Sequence, residues 1–123
     1  MPASPTPMPH ARGKHVVCVS WIASLAVTRE LLLQDGGCEV TSIVGPEYAE
    51  KLRDLNQADL LVVAHSVPQQ EKQRVLELFR SKSGAPVLSL LQPHQTKLPD
   101  ADFGVEAMRP ADFMQAVREI LAI

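Results

Sequence analysis

Five short apolar runs alternate along this chain with segments of helical period, and that alternation constrains the fold more than any single motif. The runs are His15 to Val19, Val40 to Val44, Leu60 to Ala64, Val87 to Leu91 and Phe103 to Ala107. They are rich in Val and Leu, the pattern of strands covered on both faces. After the first run, Ile22, Leu25, Ala26, Leu32 and Leu33 recur at mostly helical spacing, and Gly36 and Gly37 supply a stop. Pro46 suits a first helical position ahead of Tyr48, Leu52 and Leu55 at i, i+4 and i+7. Gln69 to Lys82 reads as an amphipathic helix burying Val75, Leu76 and Phe79, ended by Ser83 and Gly84. Phe113, Ala116, Val117, Ile120 and Leu121 mark the last helix. Gln92 to Asp102 has no convincing apolar period, so the helix expected between the last two strands is short or missing.

A strand followed by a helix, repeated, implies right-handed crossovers and a parallel sheet with helices on both faces. Five strands suit the flavodoxin-like order 2-1-3-4-5, in which ligands sit beyond the carboxyl ends of the strands at the switch point. Ser20, Trp21, Ala64, His65, Leu91 and Arg109 occupy that end. The domain is expected over residues 14–123, behind a disordered, Pro-rich tail over residues 1–13.

Composition narrows the function. A length of 123 residues is one domain's worth, and 46% hydrophobic with 21% charged residues is ordinary for a globular protein. The formal net charge of −2 lacks the basic excess that nucleic acid requires, so no direct nucleic-acid contact is expected. Cys18 and Cys38 form no CxxC pair and have no His at ligand spacing, which indicates neither a zinc site nor a disulfide framework and suits a reducing cytoplasm. The charge-free stretch from His15 to Thr28 follows Arg12 and Lys14 in the manner of a secretory leader. It is too short to span a bilayer, and cleavage after Ala26 would delete the first strand, so neither a leader nor a membrane contact is expected.

The stretch Ala58-Asp-Leu-Leu-Val-Val-Ala-His-Ser-Val-Pro68 resembles the third strand of response-regulator receiver domains. There an Asp, four apolar residues, the phosphoacceptor Asp and a Pro four positions later form the pattern. Ala64 takes the acceptor's place. Val16-Val-Cys-Val-Ser-Trp21 is similar to the family's first strand, whose closing acidic pair would align with Ser20 and Trp21. Pro86-Val-Leu-Ser-Leu-Leu91 is similar to the strand ending in a phosphoryl-contacting Thr or Ser, with Leu91 at that position. Met108-Arg-Pro110 resembles the family's Lys-Pro, with Arg109 for the Lys. Ala64 lies 44 residues after Ser20 and Leu91 lies 27 after Ala64, close to the family's offsets. The resemblance covers residues 14–123 and implies a degenerate receiver, a pseudo-receiver without its phosphoacceptor. It also implies a cis Arg109–Pro110 bond aiming the cation at the crevice, although X-Pro bonds in general are cis in only about 5–6% of cases.

Phosphotransfer to Asp needs a carboxylate nucleophile and a hard cation held by oxygen ligands. Ser20, Trp21 and Ala64 offer no carboxylate, and Asp59 and Glu39 stand at the opening ends of their strands, about 15 Å away at about 3.3 Å per residue. No catalytic residue, metal site or cofactor is therefore expected. His65 lacks a neighbouring nucleophile and an orienting acid, and reads as a loop-edge histidine with ordinary hydrogen bonds. Trp21 is expected to fill the emptied crevice. The leading expectation is a phosphorylation-independent signalling module, not an enzyme, contacting a histidine kinase, response regulator or output protein in a two-component or related pathway. The resemblance also implies homodimerisation as one mode of contact. The alternative is a flavodoxin-like domain that captures a small anion through Arg109 and His65.

Overall fold

A computed structural model describes residues 14–55, 57–95 and 100–123; the tail expected over residues 1–13 lies outside them. The elements are β1 (His15–Ser20), α1 (Ala23–Asp35), β2 (Glu39–Val44), α2 (Tyr48–Arg53), β3 (Leu60–Val63), α3 (Gln69–Arg80), β4 (Val87–Leu91), β5 (Phe103–Glu106) and α4 (Pro110–Leu121). All strands are parallel and lie in the order β2-β1-β3-β4-β5. The expected topology is therefore the observed one. The order reverses at β1, so right-handed crossovers place α1 and α4 on one face and α2 and α3 on the other.

Inside the three central strands almost every residue is apolar, Ser89 in the middle of β4 excepted. Val16, Val17, Val19, Leu60 to Val63, Val87, Leu88 and Leu90 are fully buried, which is the burial that a sheet covered on both faces demands. Leu33 of α1, Val75, Leu76 and Phe79 of α3, and Phe113, Val117 and Leu121 of α4 close over them. Gly37, at φ +93°, ends α1 in the left-handed region while the Cys38 N–H donates to the Leu33 carbonyl at 3.0 Å. The stop read at Gly36 and Gly37 is the one the chain uses.

Two local expectations fail. Pro46 lies in a turn after Gly45, and α2 begins only at Tyr48, with Glu47 as its N-cap. Gly45 takes φ +90° so that its N–H can donate to the Ser20 carbonyl at 2.9 Å. The chain is thereby still tied to the end of β1 when it reaches Pro46. Leu55 lies beyond the end of α2 yet still packs against the core. Among the described residues between β4 and β5 there is no helix, as the aperiodic composition of Gln92 to Asp102 implies.

Candidate functional site: the carboxyl end of the sheet

The Ala64 N–H donates to the Val19 carbonyl at 2.9 Å, which sets Ala64 level with Ser20 at the ends of the two central strands. Both are buried, and the Ser20 hydroxyl has no hydrogen-bond partner among the described residues. Leu91 ends β4 opposite Glu106. Trp21 turns its ring toward Tyr48, with centroids 6.0 Å apart at 48°, and its N–H donates to Ser66 Oγ at 2.9 Å. The Tyr48 hydroxyl in turn donates to the Glu71 carboxylate at 2.5 Å. Trp21 thus packs on the α2 and α3 side of the crest, its ring against Tyr48 and its backbone N–H bonded to Ser66.

Arg109 stands elsewhere. The Arg109–Pro110 peptide is trans, contrary to the cis bond implied by the resemblance. The Arg109 side chain is 67% exposed and lies 3.5 Å from the Glu106 carboxylate and 3.6 Å from that of Asp112. Two carboxylates on its own chain segment hold the guanidinium at the surface, so Arg109 and His65 are not brought together as an anion pair.

The cations that His65 senses come from helices. Burial lowers its pKa, and the positive charges of Arg29 and Lys72 lower it further. Its Nδ1 is buried without a hydrogen-bond partner among the described residues, in contrast to the ordinary hydrogen bonds expected of it. Arg29, on α1, is 7% exposed, and Lys72, on α3, is 2% exposed. Desolvation lowers both their pKa values. Among the described residues neither side chain has an ion-pair or hydrogen-bond partner. A sequence signal for both exists. Ala26, Arg29 and Leu33 fall at i, i+3 and i+7, and Lys72, Val75, Leu76 and Phe79 at i, i+3, i+4 and i+7, so each cation sits on the inward face of its helix.

Among the described residues no three His, Cys, Asp or Glu side chains converge as metal ligands. Asp59 is at the opposite end, where its carboxylate accepts from the His15 N–H at 2.8 Å. The neighbouring concavity of about 450 Å³, lined by Leu52, Leu55, Asp59, Phe79 and others, also lies at that opening end of the strands. The Cys18 thiol, buried beneath α1, is pushed up to about 12 by desolvation, a shift that Arg29 only partly offsets. Since the thiolate is the reactive form, iodoacetamide at pH 8 is expected to leave Cys18 unmodified in the native protein and to alkylate it after denaturation. Mass spectrometry of tryptic peptides checks this.

With that geometry in view, the solved structures most informative for this chain are all of one kind. The N-terminal domain of a response regulator/sensory box/GGDEF protein from Carboxydothermus hydrogenoformans superposes with a TM-score of 0.75 at 17% identity, over 89% of this chain and 94% of that one. The fold is that of a receiver domain. A two-component response regulator from Clostridium difficile gives 0.73 at 14% identity, covering 89% and 96%. A chain from the complex of a histidine kinase with a response regulator gives 0.71 at 19% identity, covering 88% and 98%. No family model matches the sequence, and no curated protein matches it. Among the described residues no helix is long and apolar enough to cross a membrane.

Proposed function

We propose that this receiver-fold chain is a signalling module that works without phosphorylation, through protein–protein contact in a two-component or related regulatory pathway of the cytoplasm, and that it has no enzymatic activity. The observation that carries this reading is the sign of the charge at the carboxyl end of the sheet. A receiver that accepts a phosphoryl group on Asp needs carboxylates there to hold a divalent cation. Here the end positions are Ser20, Trp21, Ala64 and Leu91, and the charged groups that act on His65 are both positive. Two cations beside His65 oppose Mg²⁺ there.

A surface for contact is present. Val27 and Leu31 stand exposed on one side of α1, with Ile22 exposed just before it and Met108 exposed after β5. Two fold neighbours support partners of the signalling kind: one comes from a complex of a histidine kinase with a response regulator, another from a complex of the phosphorylated P1 domain of CheA3 with CheY6 from R. sphaeroides. In the test, acetyl phosphate with Mg²⁺ is expected to leave the intact mass unchanged. An adduct of about 80 Da, one phosphoryl group, overturns the reading. Capture from the native host is expected to recover a kinase or regulator with the wild type and to lose it with Val27→Lys/Leu31→Lys. These exposed positions should leave stability within about 0.5 kcal/mol.

A further inference from the structure

An ammonium is costly to bury unless an anion or several acceptors surround it, and a lysine seated without them tends to give up its proton. Lys72 is 2% exposed and has no ion-pair or hydrogen-bond partner among the described residues. It stands in the first turn of α3, on the face that buries Val75, Leu76 and Phe79. Side chains of a helix lean toward its N-terminus. Because α3 starts shortly after the carboxyl end of β3, the stem of Lys72 leans toward the crest that carries Ser20, Ala64 and His65. Arg29, buried on α1, leans toward the same crest from the other face of the sheet. Two buried polar atoms of the crest, Ser20 Oγ and His65 Nδ1, also have no hydrogen-bond partner among the described residues. The charges that act on His65 are Arg29 and Lys72, both positive.

Size and charge select what such an amine takes up. Desolvation lowers the pKa of Lys72, which raises the share of its neutral, nucleophilic form. With so little of the side chain exposed, only a very small reagent reaches it. An aldehyde forms an imine, whose protonated nitrogen restores the unpaired buried cation. An acyl donor brings a leaving group through the same narrow opening. Carbon dioxide is uncharged and triatomic, and its adduct is an anion. We propose that Lys72 takes up carbon dioxide as a carbamate at the crest of the sheet. The Nζ lone pair forms the N–C bond, one C=O π pair moves onto oxygen, and Nζ releases one proton to the solvent. No oxidant, reductant or leaving group is required. The reaction exchanges a buried, unpaired cation for an anion at an end of the sheet where the remaining charge acting on His65, Arg29, is positive. Ser20 Oγ and His65 Nδ1 are polar atoms of that end left over to hydrogen-bond it.

The carbamate does not depend on the protein-contact reading above. The full chain, with lysine carrying labelled nitrogen, is equilibrated at neutral pH with carbon dioxide and bicarbonate carrying labelled carbon. Carbon NMR is expected to show a carbamate resonance split by its bond to a lysine nitrogen, which separates it from an adduct of the terminal amine. Lys72→Met and Lys72→Gln, each checked for folding by circular dichroism, should lose that resonance completely. In urea unfolding at fixed pH and ionic strength, carbon dioxide with bicarbonate should raise the midpoint of the wild type and leave both variants unchanged, since the adduct forms on the folded chain. Absence of a split resonance from the wild type, or its survival in both variants through lysines such as the exposed Lys51 and Lys82, overturns the proposal. So does an equal rise in midpoint with inorganic phosphate, since the crest would then hold an anion without a bond to Lys72. Those results leave the acetyl phosphate and capture tests untouched, so the two readings fail separately.

Discussion

Replacing Lys72 by Met is expected to stabilise the fold at neutral pH, by up to about 1–4 kcal/mol, the range seen when buried ion pairs give way to apolar side chains, because Lys72 is desolvated without an ion-pair partner among the described residues. Lys72 is the largest fully buried side chain and points from α3 into the same face as Val75, Leu76 and Phe79. Met keeps the length and flexibility of its stem without the ammonium. Urea unfolding of both proteins at pH 7 measures the difference directly. The pH dependence gives a second signature, whose sign follows from desolvation. Burial lowers the folded-state pKa of Lys72 below its ordinary 10.5, so between those two values the unfolded chain holds more protons than the folded one. Stability therefore rises with pH through that window, and the burial penalty is fully present below it. The Met variant should lack this slope. His65, also shifted downward by burial and by Arg29 and Lys72, acts in the same sense at lower pH: acidification below about 6.5 weakens the fold. A Met variant less stable than the wild type at pH 7 would mean that the ammonium is held by favourable contacts.

The strands were legible because each is a Val- and Leu-rich run between helical segments, and five such units suit the doubly wound order 2-1-3-4-5. Ser89 is a polar residue in such a run, and its hydroxyl is buried in β4 without a partner among the described residues. The missing helix between β4 and β5 was legible too, in the lack of period after Gln92. What escaped was the direction of side chains that local pattern leaves free. Arg109 was placed over the crevice by analogy, but Glu106 and Asp112 at three residues on either side compete for it, and a pair of surface carboxylates wins over a distant pocket. Arg29 and Lys72 were passed over because charged residues on helices are ordinarily solvated. Their spacing against neighbouring apolar residues was the signal that they are not. Pro46 misled because its fixed φ suits a turn as well as a first helical turn, and the bond from Gly45 to Ser20 decides for the turn.

Asp102→Ala is expected to cost about 1–3 kcal/mol, the penalty for leaving a buried donor without its acceptor. The Asp102 carboxylate accepts from the Val87 N–H at 2.8 Å and from Arg80 Nη2 at 2.9 Å. Arg80 Nη2 also donates to the Asp100 carbonyl at 2.9 Å, and Gln73 Nε2 donates to the Asp100 carboxylate at 2.9 Å. Side chains of α3 thus tie down the approach to β5, on a stretch whose described residues form no helix. Val87 is fully buried at the start of β4, so its N–H has no recourse to water when the carboxylate is removed. The ion pair itself is partly exposed on both sides and is worth at most about 1 kcal/mol. Asp102→Asn, which keeps an acceptor oxygen for Val87, and Arg80→Ala, which removes partly exposed bonds to Asp102 and the Asp100 carbonyl but leaves Val87 its acceptor, should therefore each cost less than Asp102→Ala. Urea unfolding of the three variants sets the order; an Arg80→Ala loss equal to that of Asp102→Ala would make the ion pair the dominant contact. Hydrogen exchange locates the effect. The Asp102 N–H donates to the Val87 carbonyl at 3.0 Å immediately before Phe103 pairs with Leu88, so loosening this corner releases β5 from β4. Faster exchange over Phe103–Glu106 is therefore expected in Asp102→Ala and not in Asp102→Asn.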